Sequence, residues 1–555
     1  MYYDRKLEIK DKTNNQFDSF MRLFRNKTRK SSWFVGTSPL ALAACGGGSN
    51  DGQADAIVRT LVAGTDSADL FENSSSNEKI EGGLGDDIFV VDFGGGNDLI
   101  TDTGGNDTLK IVFRDAENNA QLDTMYKDGS DLVVEMRDGQ TTTTVEDAFE
   151  GDNAIETINA FHAGGNWGEG ILGNLYLLDD ENIASGDHIA VGTNTADTYD
   201  STADGKNGLA IFAAGGDDTI TTGDGTQYIF GGAGDDILNG GEGDDTVLGE
   251  AGDDTIYMSP GVDQEDGGEG TDTLILGDWA GSYSGTLNLE NGDNFAAGGD
   301  GSTSNHKIYN FENVKTETTG DMTIIGTDGD NTIQTGDGND VISGGAGNDL
   351  INPGRGDDTI DAGDGDDIIV ASFGADFEDG GNGNDTLLVP GVNVDYSVTY
   401  NLTEGTLGAT GGDLSTGFAS IENIKVGYHW ITNEYLSSPG HYTVIGTVEE
   451  NRIETSEGND VLEGRGGSDI LTGNGGADTF VFKEGEQGTD TITDFDFSEG
   501  DKLDLSSYDI TTEEAAEALM SDGTTGVNVT FDGNIIVTIS GLNVADFAAA
   551  DGWLA

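Results

Sequence analysis

Over residues 213–275 a large apolar residue returns every nine positions, as Ile220, Ile229, Leu238, Val247, Ile256 and Leu274, with Glu265 interrupting the series. The same spacing runs over 326–388 as Ile333, Ile342, Ile351, Ile360, Ile369 and Leu387, with Glu378 at the equivalent sixth place. Residues 446–481 carry it as Ile453, Leu462, Leu471 and Phe480. A period of nine is neither that of a helix nor that of a strand, so it marks a repeating unit. Glycines at the first, second and fourth positions of each unit suit turns with positive φ, and the apolar end of the unit suits a short strand. Six residues of turn and three of strand bury nothing alone, but stacked units pool their inward side chains in one thin shared core.

The polar positions keep the same register. Two residues before each apolar position stands an acid or its amide: Asp218, Gln227, Asp236, Asp245, Asp254, Asp263 and Asp272 in the first run, and Asn331, Asp340, Asp349, Asp358, Asp367, Asp376 and Asp385 in the second. The third run has Asn451, Asp460, Asp469 and Asp478. A short run over 64–90 has Asp69, Glu78 and Asp87, and continues after a two-residue slip to Asp98 and Asp107. Asp197 and Lys206 form a degenerate pair before the 213–275 run.

Composition narrows what these acids can do. With 24 Lys and Arg against 104 Asp and Glu, the net charge is −80, which repels nucleic acid and anionic membranes alike. Cations are the natural counterpart. An acidic chain with 89 glycines would ordinarily be disordered, but scattered acids do not keep a register of nine. A phosphate-cradling loop pairs its glycines with lysine, whereas here an acid follows each turn. No segment offers the twelve-residue loop of an EF-hand.

The frame Gly-Gly-x-Gly-x-Asp-x-U-x, with U a large apolar residue, is clearest in "GGAGDDILNGGEGDDTVLGEAGDDTI", residues 231–256, and resembles the calcium-binding nonapeptide of the RTX (repeats-in-toxin, hemolysin-type) family. The resemblance implies an all-β chain in which blocks of parallel β-roll, a β-solenoid, are separated by β-rich inserts, with multiple Ca2+ held between adjacent turns, on the order of 12 to 15 ions. Carried onto this sequence, it makes Asp87, Asp98, Asp107, Asp218, Asp236, Asp245, Asp254, Asp272, Asp340, Asp349, Asp358, Asp367, Asp385, Asp460, Asp469 and Asp478 the calcium ligands. Asp235, Asp244 and Asp253, one residue earlier, are expected to serve the turn through their carbonyls. Binding energy of such ions is folding energy, so the rolls are expected to be open without calcium.

The expected divisions are a leader over 1–63, a short repeat block over 64–110, a β-rich RTX-associated module and linker over 111–191 and a roll over 192–275. A β-rich insert (276–325), a second roll (326–388), a duplicate insert (389–445), a roll with its cap (446–510) and a C-terminal cap and secretion-signal region (511–555) follow. The inserts match through "FENVK" (311–315) with "IENIK" (421–425) and "TIIGT" (323–327) with "TVIGT" (443–447). Glu265 and Glu378 are expected to mark the roll loosening ahead of each insert, or a local binding role. In the leader, "LAACGGG" around Cys45, behind a basic and then an apolar stretch, resembles a lipoprotein signal-peptidase site; the alternative is a flexible leader with an incidental thiol. Residues 476–510, beginning "GADTFVF", resemble the cap of RTX proteins exported by type I secretion.

No His-Glu-x-x-His and no Gly-x-Ser-x-Gly motif is present, and the five histidines, His162, His188, His306, His429 and His441, are dispersed. The expected function is therefore that of a non-enzymatic calcium-binding structural or interaction protein, secreted or on the cell surface of a Gram-negative bacterium. Its partners are calcium ions, and a membrane only through a lipid on Cys45, which would make it an outer-membrane lipoprotein. The alternative is an adhesin-like module whose inserts, with Trp279, Tyr283, Tyr396, His429, Trp430 and Tyr435, bind a surface glycan or another surface protein. A secreted hydrolase or lyase of unrecognised type is the third reading.

Overall fold

In a computed structural model of the chain, residues 60–555 are described apart from 115–121, 137–141, 149–156, 164–170, 178–187, 201–208, 278–283, 291–294, 298–302, 391–396, 411–416, 430–433, 436–439 and stretches of one to three residues. Cys45, Lys206, Trp279, Tyr283, Tyr396 and Trp430 therefore lie outside the described residues. Each nonapeptide forms one short strand, and consecutive strands go to opposite sheets. A strand's parallel partner is therefore two units away: Ile220 pairs with Leu238, and Leu238 with Ile256, 18 residues apart each time. On the other sheet Ile229 pairs with Val247 in the same step. Two nonapeptides make one turn of a parallel β-roll.

The alternation of faces within each strand puts one residue in and its neighbours out, because successive side chains of a strand point to opposite sides. Leu238 is fully buried, while the adjacent Ile237 remains 43% exposed. The inward residues line up as a column, from Ile220 through Leu274 and Val314 to Ile333, Ile351 and Ile369, each buried to within 1%. The core is one side chain deep on each sheet.

One sheet of 17 strands runs from Thr198–Asp200 to the C-terminal hairpin of Gly526–Phe531 and Asn534–Ser540. It is continuous through both inserts, because "FENVK" and "IENIK" supply roll strands. Asn313–Thr316 follows Thr273–Leu276, and Asn423–Val426 follows Thr386–Val389, in the same parallel register. On the facing side the inserts end one run and begin the next. Lys307–Tyr309 closes on Gln264–Glu269, and Met322–Ile325 carries the following sheet forward. In the second copy Gly417–Ala419 closes on Phe377–Asn382 and His441–Ile445 carries the sheet forward, but here the insert strands Thr406–Thr410 and Ser397–Asn401 join the two, so this sheet is continuous. Insert aromatics fill the core: Phe311, Tyr400, Phe418 and Tyr442 are all buried. His429 and Tyr435 lie in a separate two-stranded hairpin.

The expected loosening at Glu265 and Glu378 does not occur. Both stay in register, Glu265 between Val247 and Ile308 and Glu378 between Ile360 and Phe418, and both are buried. Parallel ladder bonds join backbone to backbone and are indifferent to the side chain carried.

A second core belongs to the N-terminal block, where Phe71 and Phe89 stack at 5.2 Å and join Ile80, Ile100 and Leu109. The sheet of Ile189 to Phe212 serves both cores: Ile189, Val191, Ala210 and Phe212 face this one, and Ala190 and Ile211 face the roll. At the other end Asn534–Ser540 pairs with Asp490–Ile492, and Phe480, Phe495, Phe547 and Trp553 pack together. This cap covers an edge that would otherwise recruit another strand.

Leu238→Ala is expected to cost about 2 to 5 kcal/mol of stability, while Ile237→Ala stays within about 0.5 kcal/mol. Denaturant unfolding of both variants in calcium checks this contrast between adjacent residues.

Candidate calcium columns

The register aspartates stand one above another in two columns, joined by a repeated hydrogen bond. In each case the backbone N–H of one aspartate donates to Oδ1 of the aspartate one turn later: Asp218 to Asp236, Asp236 to Asp254 and Asp254 to Asp272, each at 2.8 Å. The second column contains Asp245 donating to Asp263 and, further on, Asp340 to Asp358 and Asp358 to Asp376, at 2.8–2.9 Å. Asp349, Asp367 and Asp385 repeat it, as do Asp460 and Asp478. In the N-terminal block Asp87 donates to Asp107, and Glu78 to Asp98. Asp469 stands in the same ladder, accepting from Asn451.

All sixteen expected ligands are buried. One oxygen of each carboxylate is thus committed to the backbone, and the question is what the other oxygen meets. In fourteen of the sixteen, all but Asp98 and Asp107, Oδ2 is enclosed with no hydrogen-bond partner. A buried acceptor left unsatisfied costs about 1 to 3 kcal/mol, and more when charged, so a repeated column of them needs a positive partner.

The space beside these oxygens has a defined outline. A Cβ on Gly249 would overlap Asp254 Oδ2 and the carbonyl oxygen of Gly267, one turn on. Gly344 faces Asp349 Oδ2 and the Ala362 carbonyl in the same way. A cradle bounded by a carboxylate oxygen and backbone carbonyls of the next turn suits a hard, oxygen-seeking cation such as Ca2+. When bound, the ion supplies charge neutralisation and bonds across adjacent turns.

The first glycine of the frame is therefore required by space and not by φ. Positive φ occurs at the second and fourth positions, as at Gly232 (109°) and Gly234 (134°). Where the second position is not glycine the conformation is kept, Glu250 adopting φ 76°.

Burial is the largest influence on these acids, and it pushes Asp218, Asp236, Asp254 and Asp272 up to about 7, and Asp245 and Asp478 up to about 8. Neighbouring carboxylates push in the same direction. The acids one residue earlier behave differently. They are at the surface, and Asp235 and Asp253 each accept, through Oδ1, from the backbone of the next turn, at Asp253 and Thr271. Their carboxylates, and not only their carbonyls, stitch the turns.

Several ladder members were not among the sixteen. Glu312 and Glu422, the glutamates of "FENVK" and "IENIK", take the place of the next aspartate by accepting from Asp272 and Asp385. Asp490 and Asp501 extend the columns into the cap. Asp102 joins Asp87 and Asp107 in a buried cluster. The insert glutamates had a signal, since both inserts carry Glu-Asn at matching places. Asp490 and Asp501 lie out of the nine-residue step and had none. Asn331 and Asn451, which start the second and third runs, turn their amide nitrogens onto the carbonyls of Glu312 and Glu422, each at 2.7 Å. There a neutral amide supplies the donor.

The RTX calcium-binding nonapeptide repeat model matches residues 211–238, 221–256, 230–264, 325–360, 353–387 and 445–480, which hold twelve of the sixteen column aspartates, all but Asp87, Asp98, Asp107 and Asp272. These segments are RTX calcium-binding nonapeptide repeats. They bind multiple Ca2+. Among solved structures it is similar to the extracellular lipase LipA from Serratia marcescens, at 22% identity over 44% of this chain and 37% of that one, with a TM-score of 0.16. The chain thus spans little more than a third of that lipase's length. No curated protein matches the chain.

Two outcomes are expected of this RTX roll. Gly249→Ala should raise the calcium concentration needed for folding, whereas Glu250→Gly should stabilise by about 1 kcal/mol by relieving positive φ; calcium titrations of thermal stability compare them. Protons should also substitute in part for calcium. The folded-state carboxyls are raised above their unfolded value, so the metal-free fold binds more protons and loses stability as pH rises through about 7 to 8. In chelator, acidification from about pH 8 to 5 should therefore increase the strand signal in circular dichroism.

Proposed function

We propose that this chain is a calcium-folded extracellular or cell-surface protein, non-enzymatic, whose rolls close after export. The observation that carries this reading is the pair of columns of enclosed Oδ2 atoms without partners. Two carboxylates about 4 Å apart repel by roughly 1 kcal/mol in water and about 4 kcal/mol near a protein surface, and each column multiplies such pairs. The thin core cannot offset that repulsion without cations. Extracellular calcium modules work at about 10⁻⁴ to 10⁻³ M, so the chain stays open at the low calcium of a cell interior and closes outside. The sixteen aspartates then act as ligands, through Oδ2, together with carbonyls of the glycine turns.

The C-terminal block fits export by type I secretion, through its resemblance to the cap of proteins so exported. Its packing of Phe547 and Trp553 against the last roll strands also supplies the closed end a solenoid needs. The divisions expected from the sequence serve as units of one stacked assembly, with the inserts contributing strands to its sheets.

Circular dichroism of the full chain during calcium titration is the direct test. The parallel-strand signal is expected to be largely absent in chelator and to develop at about 10⁻⁴ to 10⁻³ M Ca2+, with bound ions numbering on the order of a dozen. An unchanged strand signal in chelator and in millimolar calcium would overturn the reading.

A further inference from the structure

In both long runs the sixth frame carries a glutamate where every other frame has an aliphatic residue. Glu265 and Glu378 are 1% and 0% exposed and sit in the core column between apolar neighbours. The backbone tolerates this, but a buried carboxylate does not stay charged without a partner. The two copies differ in what they offer it.

In the first copy the insert returns a histidine to the site. His306, 2% exposed, precedes the strand Lys307–Tyr309 that pairs with Gln264–Glu269. Its Nδ1 lies 3.3 Å from Glu265 Oε1 and 3.4 Å from Asp263 Oδ2. Ser259 Oγ donates to the same Asp263 oxygen at 3.2 Å. One ligand atom from each of Asp263, Glu265 and His306 lies within 4.8 Å of the others. Glu265 Oε2 and His306 Nε2 are enclosed without a hydrogen-bond partner.

These separations separate two interpretations. A charge-assisted N–H to carboxylate bond runs at about 2.7 to 2.9 Å and favours one acceptor. Here one nitrogen stands almost equally far from two carboxylates, and beyond that range. A tetrahedral metal with bonds of about 2.0 to 2.2 Å places neighbouring ligand atoms about 3.3 to 3.6 Å apart, which matches both distances. We propose that Asp263, Glu265 and His306 form a site for one transition-metal ion of the Zn2+ type, separate in chemistry from the calcium columns, with Ser259 or a water completing the set. Calcium is the poorer match, because it takes six to eight oxygen ligands and this enclosed site presents three groups, one of them an imidazole. Imidazole with carboxylate suits Zn2+ and its neighbours, and two carboxylates balance its charge.

The second copy is a built-in comparison. Glu378 and Asp376 repeat the acids, and Ser372 Oγ donates to Asp376 Oδ2 at 2.9 Å, but the position matching His306 in sequence is Thr416. The expected stoichiometry is therefore one ion per chain and not two.

The test uses the full chain folded in excess calcium, with Co2+ as a spectroscopic probe and Zn2+ as competitor. One equivalent of Co2+ is expected to remain after dialysis against calcium, with visible bands of tetrahedral coordination that Zn2+ abolishes. His306→Ala and, separately, Glu265→Gln are expected to lose that equivalent, while circular dichroism shows the roll still folding in calcium. If a variant fails to fold, the wild-type stoichiometry still decides. No retained Co2+ in the wild type would mean an ion pair closed by protonated His306 and would overturn the proposal. So would two or more equivalents, or an equivalent unchanged in folded His306→Ala.

Discussion

The roll depends on how each register aspartate divides its two oxygens. Oδ1 accepts a backbone N–H from the preceding turn, which fixes the side chain and the spacing of the turns together. Oδ2 is thereby held inside, against the space that the first glycine of the frame leaves open. The stack is complete in its backbone bonds and incomplete in its charges. Burial pushes these carboxyls up, Asp236 to about 7 and Asp245 to about 8, so at neutral pH the closed roll favours a cation or a proton beside them. In the proposed calcium-folded reading, enclosing Leu238, Val247 and Ile256 is coupled to meeting that demand.

The columns also explain how the chain survives its interruptions. Where an insert removes the next repeat, Glu312 or Glu422 reaches the orphaned backbone N–H. Where a new run begins, Asn331 or Asn451 turns a neutral amide toward the carbonyl behind it. A longer acid ends a run and an amide starts one. With both ends satisfied, the 17-strand sheet passes through the inserts unbroken and carries strands from all the family-matched segments.

Much of this was legible because the physics is one-dimensional. A unit that contacts only its neighbours must repeat its requirements, and a repeated requirement shows as a period. The nine-residue register, the identity of the inward aliphatics and the common register of the sixteen aspartates all follow from it. Glu265 and Glu378 were visible as departures, but not their meaning, since one was to be read with a histidine 41 residues later. Asp490 and Asp501 were invisible because the cap changes the step to 21 and 23 residues.

By itself the sequence determined the repeating unit, its strand and turn, the calcium chemistry and the duplication of roll with insert, since each of these lies within nine residues or recurs at a constant interval. Tertiary structure alone decided that two units make a turn, that the first glycine is demanded by a neighbouring carboxylate, that the inserts join the sheets, and that His306 meets Asp263 and Glu265. Those four depend on which residues lie beside each other across turns. That adjacency is set by the 18-residue pitch of the stack and by loops of unequal length, and neither can be read from any single repeat.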